Sequence, residues 1–482
     1  MSGLVAVLGK KDWERVNSFA DTLRFRGPYL RKKVETSSCA MLALDNVSSQ
    51  SENRLPVVLD GYIDIRGEEK ALARSTGEST LWEMWQEKGT NLFQHLEGEF
   101  TFTMETPEGE ILMARDPLGV KPLYYVEQDN VLYVASEIKA LLELNGNIEE
   151  VPPGGYLLKG KGWNTYYQFA GIEEDVSLSL EEAEERLHEV MCQAVRERRE
   201  NQPRLGAYLS GGLDSSLVAC LAAEFEGKPI HTFSVGVKGS QDVEYARLVA
   251  ESIGSKHHEY IYDLEEMLEV LPDVIYHLES FDCAYVRSSI PNFIAGRLAR
   301  EEGREVMLTG EGADELFAGY AYLKTMDSKE EINQEIARFI RGLSTTGLQR
   351  VDRMNSAHGL NCRVPFLKLS LLELTLKIPL SWKLKGFETD PVDKWILRRT
   401  FEKYLDEKVA WREKQQFDQG SGSSDMLAEL VNQEISDAEW EQETHKAQVP
   451  VRNKEELYYY RIFRRFFPEK ALSLVGRWSQ TS

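Results

Sequence analysis

Long apolar runs are missing from this 482-residue chain. None approaches the roughly 20 residues that a membrane-spanning helix needs, so the sequence predicts no membrane partner. Cysteine is scarce: the five residues, at 39, 192, 220, 283 and 362, include no CxxC pair. Their odd number and scatter exclude a disulfide frame and a zinc site, and predict reduced thiols in a cytoplasmic protein. Basic charge is in deficit. Lys and Arg number 57 against 79 Asp and Glu, a net charge of −22. A nucleic-acid surface needs a basic stripe, so the balance predicts no such partner and an acidic, well-solvated exterior instead. No basic region precedes the short apolar stretch in MSGLVAVLGKKDWER, which therefore reads as a first strand and not as a signal peptide. Internal repeats and low-complexity segments are also lacking.

What is present exceeds one compact core, and predicts two domains with a helical appendage. Residues 1–165 carry short β-type runs separated by turns: Leu4–Leu8, Pro56–Leu59, Phe100–Thr103, Ile111–Ala114 and Val131–Val134. Helical stretches interrupt them near 11–24 and 79–95, a pattern that predicts stacked sheets flanked by helices. Val151-Pro152-Pro153-Gly154-Gly155 reads as a hinge. Residues 178–200 read as an acidic amphipathic helix capped by Ser179. From 205 the texture changes to strand, glycine-rich turn, helix 217–225, strand 231–235 and helix 242–253. Alternation of this kind predicts a parallel sheet with ligands at the strand carboxyl ends. Beyond 320 the chain reads as mostly helical.

The sharpest motif is Ser210-Gly211-Gly212-Leu213-Asp214-Ser215-Ser216, between a strand and a helix. Glycines let backbone approach a phosphate, and a helix N-terminus offers free N–H groups and a positive dipole end. Serine hydroxyls add donors, and Asp214 suits Mg2+. The loop lacks the Gly-Lys-Ser/Thr of a Walker motif; its SGGxDS spacing resembles the pyrophosphate loop of ATP pyrophosphatases, which split ATP to AMP. A second group, Thr309–Phe317, holds two glycines and three carboxylates after the apolar Val306–Leu308. It reads either as a metal–nucleotide site or as a turn capped by acids. Lys394 in Pro391–Trp395 and Lys414 in Trp411–Phe417 are suited to neutralising phosphate charge, though isolated lysines are more often surface residues.

Together these segments resemble the asparagine synthetase B family over nearly the whole chain. The matches include Arg26-Gly27-Pro28, Arg115–Gly119, Ala135–Lys139, the SGGLDSS loop, Ser234-Val235-Gly236 and Ile275–His277 with Glu279. They continue through Arg287, the GEGADELFAGY run, Arg363–Leu367 and WREKQQF. The resemblance implies an α/β protein with an Ntn-type αββα glutaminase-like domain over 1–165. An ATP-pyrophosphatase-type parallel-sheet domain with a helical C-terminal part would follow over 178–482. It implies an ATP-pocket of Leu209, Ser210, Val235 and Gly310 around the loop, with Asp214 and Asp314 holding magnesium and pyrophosphate. Glu311 would act near the attacking amine, and Lys394 and Lys414 would stabilise the transition state; Arg287 reads either as a bidentate partner for a substrate carboxylate or as an ordinary helix-surface arginine. A homodimer is also suggested.

The sequence departs from that family in two places. The nucleophilic cysteine of the glutaminase is Ser2 here; Asp60-Gly61-Tyr62 replaces an Asn-Gly-Glu run; and Phe25 and Tyr29 replace a histidine and an aspartate. A serine is far less nucleophilic without a dedicated base, so this half is expected to be structural. Near the acceptor pocket, Ala284-Tyr285 replace a threonine pair, and Asn361 and Lys368 replace two acids. The expected activity is adenylation of a carboxylate, aspartate or a related acid, followed by attack of ammonia or an amine. Ammonia would then come free or from a separate enzyme. The alternatives are a glutamine-dependent asparagine synthetase, an intramolecular cyclase similar to β-lactam synthetases, and a non-catalytic nucleotide-binding relative.

Overall fold

A computed structural model describes residues 3–45, 55–66, 77–199, 202–387, 389–413 and 424–477. The N-terminal half holds two antiparallel sheets. Its strands are β1 (Gly3–Leu8), β2 (Tyr29–Glu35), β3 (Cys39–Asp45), β4 (Val57–Ile65), β5 (Leu96–Glu105), β6 (Ile111–Arg115), β7 (Tyr124–Gln128), β8 (Val131–Ala135), β9 (Glu149–Glu150), β10 (Gly155–Leu158) and β11 (Gly162–Thr165). One sheet runs β2-β3-β1-β8-β7-β9 and the other β11-β10-β6-β5-β4.

The period-2 direction of side chains explains why nearly every residue of β1 is apolar and buried. Leu4, Ala6 and Leu8 face the second sheet, where they meet Val58, Ile111 and Met113. Val5 and Val7 face outward onto Val16 and Phe19 of α1 (Trp13–Thr22). The second sheet likewise turns Leu59, Phe100 and Phe102 toward Leu81 and Met84 of α2 (Gly77–Lys88). The result is an αββα sandwich. The helix expected over 79–95 ends at Lys88, because Gly89 takes φ +54 and the chain continues as a 3-10 turn.

Val151–Gly155 is not a hinge between domains. The Val151 amide donates to the Leu123 carbonyl and the Gly154 amide to that of Asp116. The chain then re-enters the second sheet as β10, paired with β6. Proline and glycine mark a tight turn inside the unit as readily as a boundary.

The C-terminal half begins with α3 (Leu180–Arg199), whose Glu182 amide is capped by Ser179. A parallel sheet follows, of β12 (Leu205–Tyr208), β13 (His231–Gly236), β14 (Lys256–Ile261), β15 (Val306–Leu308) and β16 (Asn361–Arg363), in the order β14-β13-β12-β15-β16. The chain builds outward on one side through β14, then returns to the other side of β12 as β15. That reversal opens a crevice at the carboxyl ends of β12 and β15. Among the described residues, the longer helices of this half are α4 (Leu213–Glu226), α5 (Gln241–Ser252), α6 (Leu264–Leu278), α7 (Cys283–Glu301), α8 (Lys329–Gly342), α9 (Gly347–Ser356), α10 (Leu369–Lys377), α11 (Trp395–Phe401), α12 (Ser424–Glu434), α13 (Asp437–Thr444) and α14 (Lys454–Phe466), beside shorter helical turns. One apolar cluster runs from Val5 and Ile138 through Val274 and Ile275 to Phe293, so the two halves share core.

Phe102 is fully buried and stacks on Phe93. Phe102→Ala is expected to cost about 3–5 kcal/mol, the range for deleting a core ring. Val176→Ser, at a site 93% exposed, is expected to stay within about 0.5 kcal/mol. The urea midpoints of the two variants check this.

Candidate active site

The loop after β12 is shaped by close packing. Gly211 adopts φ +70, and a β-carbon there would fall 2.4 Å from the Tyr245 Cβ of α5. Gly212 then caps α4 with no side-chain hydrogen bond, so the first turn of α4 faces the crevice without a competing cap. The Ser210 amide donates to the Ser215 hydroxyl at 3.1 Å, and the two hydroxyls lie 3.0 Å apart. Gly310, after β15, closes on this loop; a β-carbon there would sit 2.7 Å from the Ser215 nitrogen.

These segments wall a cavity of about 210 Å³. Leu209, Ser210, Gly212, Asp214, Ser215, Val235, Gly310, Glu311, Asp314 and Lys394 all line it. Gly211 and Ser216 do not; Gly211 packs under α5, and Ser216 is fully buried behind the loop. Lys414 lies outside the described residues, as does Ser2.

Lys394 organises the cavity floor. Its Nζ sits 2.5 Å from Asp214 Oδ2 and 2.6 Å from Asp314 Oδ1, with the side chain only 1% exposed. The backbone of Lys394 is left-handed, φ 52, at the N-cap of α11, a strained conformation for a residue with a side chain. Gly319 makes room for it. A β-carbon at 319 would lie 2.1 Å from Lys394 Cε and 2.2 Å from Asp314 Oδ1.

The two carboxylates thus converge on the Lys394 ammonium, which fills the position between them; a metal would have to use their other oxygens. Among the described residues no group of three His, Cys, Asp or Glu closes on a metal position. A pair of carboxylates suits Mg2+, which keeps waters and takes phosphate oxygens to complete its shell. Charge points the same way. Seven carboxylates line the cavity (Asp214, Asp242, Glu311, Asp314, Glu315, Asp393 and Glu413) against four cations (Arg350, Lys394, Arg398 and Arg412). A polyanionic ligand would need a counter-charge to enter.

Further residues complete the wall that the sequence left unmarked. Arg350 Nη2 donates to both oxygens of Glu311, at 2.9 and 2.8 Å. Gly347 leaves space for that carboxylate. Arg412 pairs with Asp242 at 2.8 Å and lies over the Tyr245 ring. Arg398 spends its donors on the carbonyls of Asp393, Ala410 and Arg412 and on the Asp393 carboxylate. Glu315 accepts from the Tyr320 hydroxyl at 2.6 Å. Burial, and then the charges of Glu311 and Asp314, raise its pKa to about 7.

Arg287 is turned away from the cavity. Ala284, Ser288, Asn292 and Ala295 of α7 line it. At 3.6 residues per turn Arg287 lies roughly a third of a turn around from that stripe. Its Nε donates to Glu455 of α14 at 2.7 Å. The arginine that the cavity does hold against Glu311 is Arg350, which belongs to no local motif; only its place on an amphipathic helix could have flagged it.

Comparison with known proteins gives a family model described as asparagine synthase, matching residues 186–331 and 324–480. A glutamine amidotransferase domain matches residues 1–156. Asparagine synthetase [glutamine-hydrolyzing] 1 of Arabidopsis thaliana is 32% identical over 515 aligned positions, covering 98% of this chain and 88% of that protein. Asparagine synthetase B [glutamine-hydrolyzing] of Escherichia coli K12 is 33% identical over 404, covering 80% of this chain and 73% of that one.

The raised pKa of Glu315 fixes a sign for stability against pH. The folded state holds this proton more tightly than the unfolded chain, so its contribution is full below the ordinary carboxylate range and is lost as pH rises toward about 7. Glu315→Gln keeps an acceptor for Tyr320 and removes the titration. Its urea midpoint should therefore fall less than that of the wild type between acidic and neutral pH.

Proposed function

The chain belongs to the asparagine synthase family, and from that premise we propose that it is an ATP-dependent ligase forming a carbon–nitrogen bond, with AMP and pyrophosphate as by-products. A substrate carboxylate attacks the α-phosphorus of ATP, giving an acyl-adenylate and releasing pyrophosphate. Ammonia or an amine then attacks the acyl carbon, and AMP leaves. The observation that carries this reading is Lys394 held between Asp214 and Asp314 beside the uncapped start of α4.

In this reading Leu209, Ser210, Val235 and Gly310 receive the nucleotide, and Gly211, Gly212, Ser215 and Ser216 shape the phosphate loop. Lys394 lies where charge accumulates on the phosphates, a place where a fixed cation in a dry site lowers the barrier. Asp214 and Asp314 would hold magnesium, which supplies neutralisation of the nucleotide charge. Glu311 would face the incoming nitrogen, and Arg350 beside it would orient the acyl substrate. Lys414 is assigned a second charge-stabilising role on the family resemblance alone. We read 178–482 as the synthetase unit.

We read 1–165 as a glutaminase-like unit that no longer hydrolyses glutamine. Three of its departures from the family are absorbed into packing. The Tyr62 hydroxyl donates to Glu99 at 3.1 Å, and its ring lies under Arg363. Asp60 is fully buried beside Arg26 and Lys121, and Phe25 packs edge-on against His277. Nitrogen would then come from ammonia, free or delivered by a separate enzyme, or from an amine on the substrate. Among the described residues no helix is long and apolar enough to cross a membrane.

The test is AMP release from Mg-ATP with aspartate and a panel of other carboxylates, each with ammonium, glutamine or neither. AMP with one carboxylate and a nitrogen source other than glutamine is expected; glutamate release that vanishes in Ser2→Ala would overturn the glutaminase reading. Lys394→Ala should lower turnover by roughly 10²–10³-fold, the scale for removing one electrostatic stabiliser.

A further inference from the structure

A buried set of charges joins the two halves. Arg26 Nη1 meets Glu137 at 2.6 Å and Asp352 at 2.8 Å, and its Nη2 reaches Asp352 at 3.0 Å. Lys121 Nζ lies 3.4 Å from Asp352. Arg353 reaches Glu137 at 3.1 Å, Glu279 at 3.0 Å and the Ser136 carbonyl at 3.0 Å. Lys139 contacts Glu137, and lies 3.1 Å from Glu279. With Asp60, the set comprises four cations and four carboxylates, all under 7% exposed. Balanced charge makes such a group tolerable in a dry interface, whereas losing one member leaves its partner buried and unpaired.

Two members of this set, Asp352 and Arg353, sit on α9. Arg350, on the same helix, lines the active cavity. Arg350 is two residues from Asp352, about 200° around the helix axis at 3.6 residues per turn, and it holds Glu311. Asn355 Oδ1 accepts from the hydroxyl of Tyr208, a cavity residue, at 2.6 Å. Gly347 packs against the Glu311 carboxylate. A ten-residue helix is stiff, so what fixes one face fixes the other.

We infer that the N-terminal half acts in the ligase reaction as a positioning element, through Arg26. By pinning Asp352 it sets α9, and α9 sets Arg350, Glu311 and Tyr208 in the cavity. The inference rests on the ligase reading for its kinetic consequence, but its structural consequence needs no turnover. It also gives a half without glutamine hydrolysis a reason to be kept as a folded unit. Arg26 touches no reacting atom in this scheme; it is a positioning residue.

The experiment is hydrogen exchange by mass spectrometry on the full chain. Arg26→Gln is compared with Glu97→Gln, which loosens a different seam of the same interface, where Glu97 caps the start of α10 and faces Lys368. Arg26→Gln should raise exchange about tenfold in 347–356, 206–212 and 309–317, and Glu97→Gln should not. With whichever carboxylate supports AMP formation, Arg26→Gln should lower kcat by about 10- to 100-fold, the scale of a remote misplacement. The KM for ATP should stay within about twofold, and Arg26→Lys should restore part of the rate. Lys121→Met, which removes the longer contacts to Asp352 and Asp60, replaces Arg26→Gln if that variant does not fold. Exchange confined to 24–29 and 136–140, or equal exchange in Glu97→Gln, would overturn the inference. Silence of every carboxylate would count against the ligase reading alone, because the exchange pattern is read without substrate.

Discussion

A single ammonium group between two aspartates is the interaction on which the C-terminal half turns. Lys394 reaches Asp214 in the first turn of α4, which follows β12, and Asp314, which follows β15. Those two strands are neighbours in the sheet but distant in sequence. The lysine therefore ties together both sides of the crevice that the reversal of strand order opens. Its demands spread outward. The left-handed backbone at 394, the missing side chain at 319 and the close approach of Gly310 to the phosphate loop all serve one arrangement. Without a cation, two carboxylates so close together would repel one another in a poorly hydrated site.

The interface between the halves follows the same logic with more members. Charges that would be costly alone are acceptable there because each carboxylate meets a cation. Apolar burial is shared across the same seam, from β1 to α6 and α7. The halves are thus joined both by non-directional burial, which favours contact, and by directional pairs, which fix register. The second kind bears on the cavity, since directional contacts on one side of α9 constrain its other side.

What was legible in the sequence was local. The short β-type runs of β1, β5 and β8 pointed to stacked sheets, and the SGGLDSS turn to a strand, a loop and a helix start, because each depends on residues adjacent in the chain. The split into αββα and parallel-sheet units followed from the change of texture near 205. Features that rest on distant partners were harder. Arg287 resembles a substrate residue in its local setting, yet its partner Glu455 lies 168 positions away and turns it aside. Arg350 has no motif because its role comes from Glu311, 39 residues before it. Lys394 could be marked as a candidate phosphate-neutralising cation, but its local segment reads equally as surface, since its burial depends on three separate segments. The glycines and prolines at 151–155 signal a sharp bend, but what the chain does after the bend depends on β6.

The pairing of Arg287 with Glu455 has a consequence for the order in which the molecule comes into being. A ribosome emits the phosphate loop, α7 and the GEGADE turn long before Glu455. Until α14 emerges, the arginine on the back of the cavity wall lacks its Glu455 partner, and α7, though already able to pack on α6 and α9, lacks one of its neighbouring helices. Chains synthesise at about 5–20 residues per second, so the 168 positions between the two residues correspond to roughly 8–34 s of translation. A nascent chain would therefore hold its crevice-forming segments ahead of one helix that backs their wall.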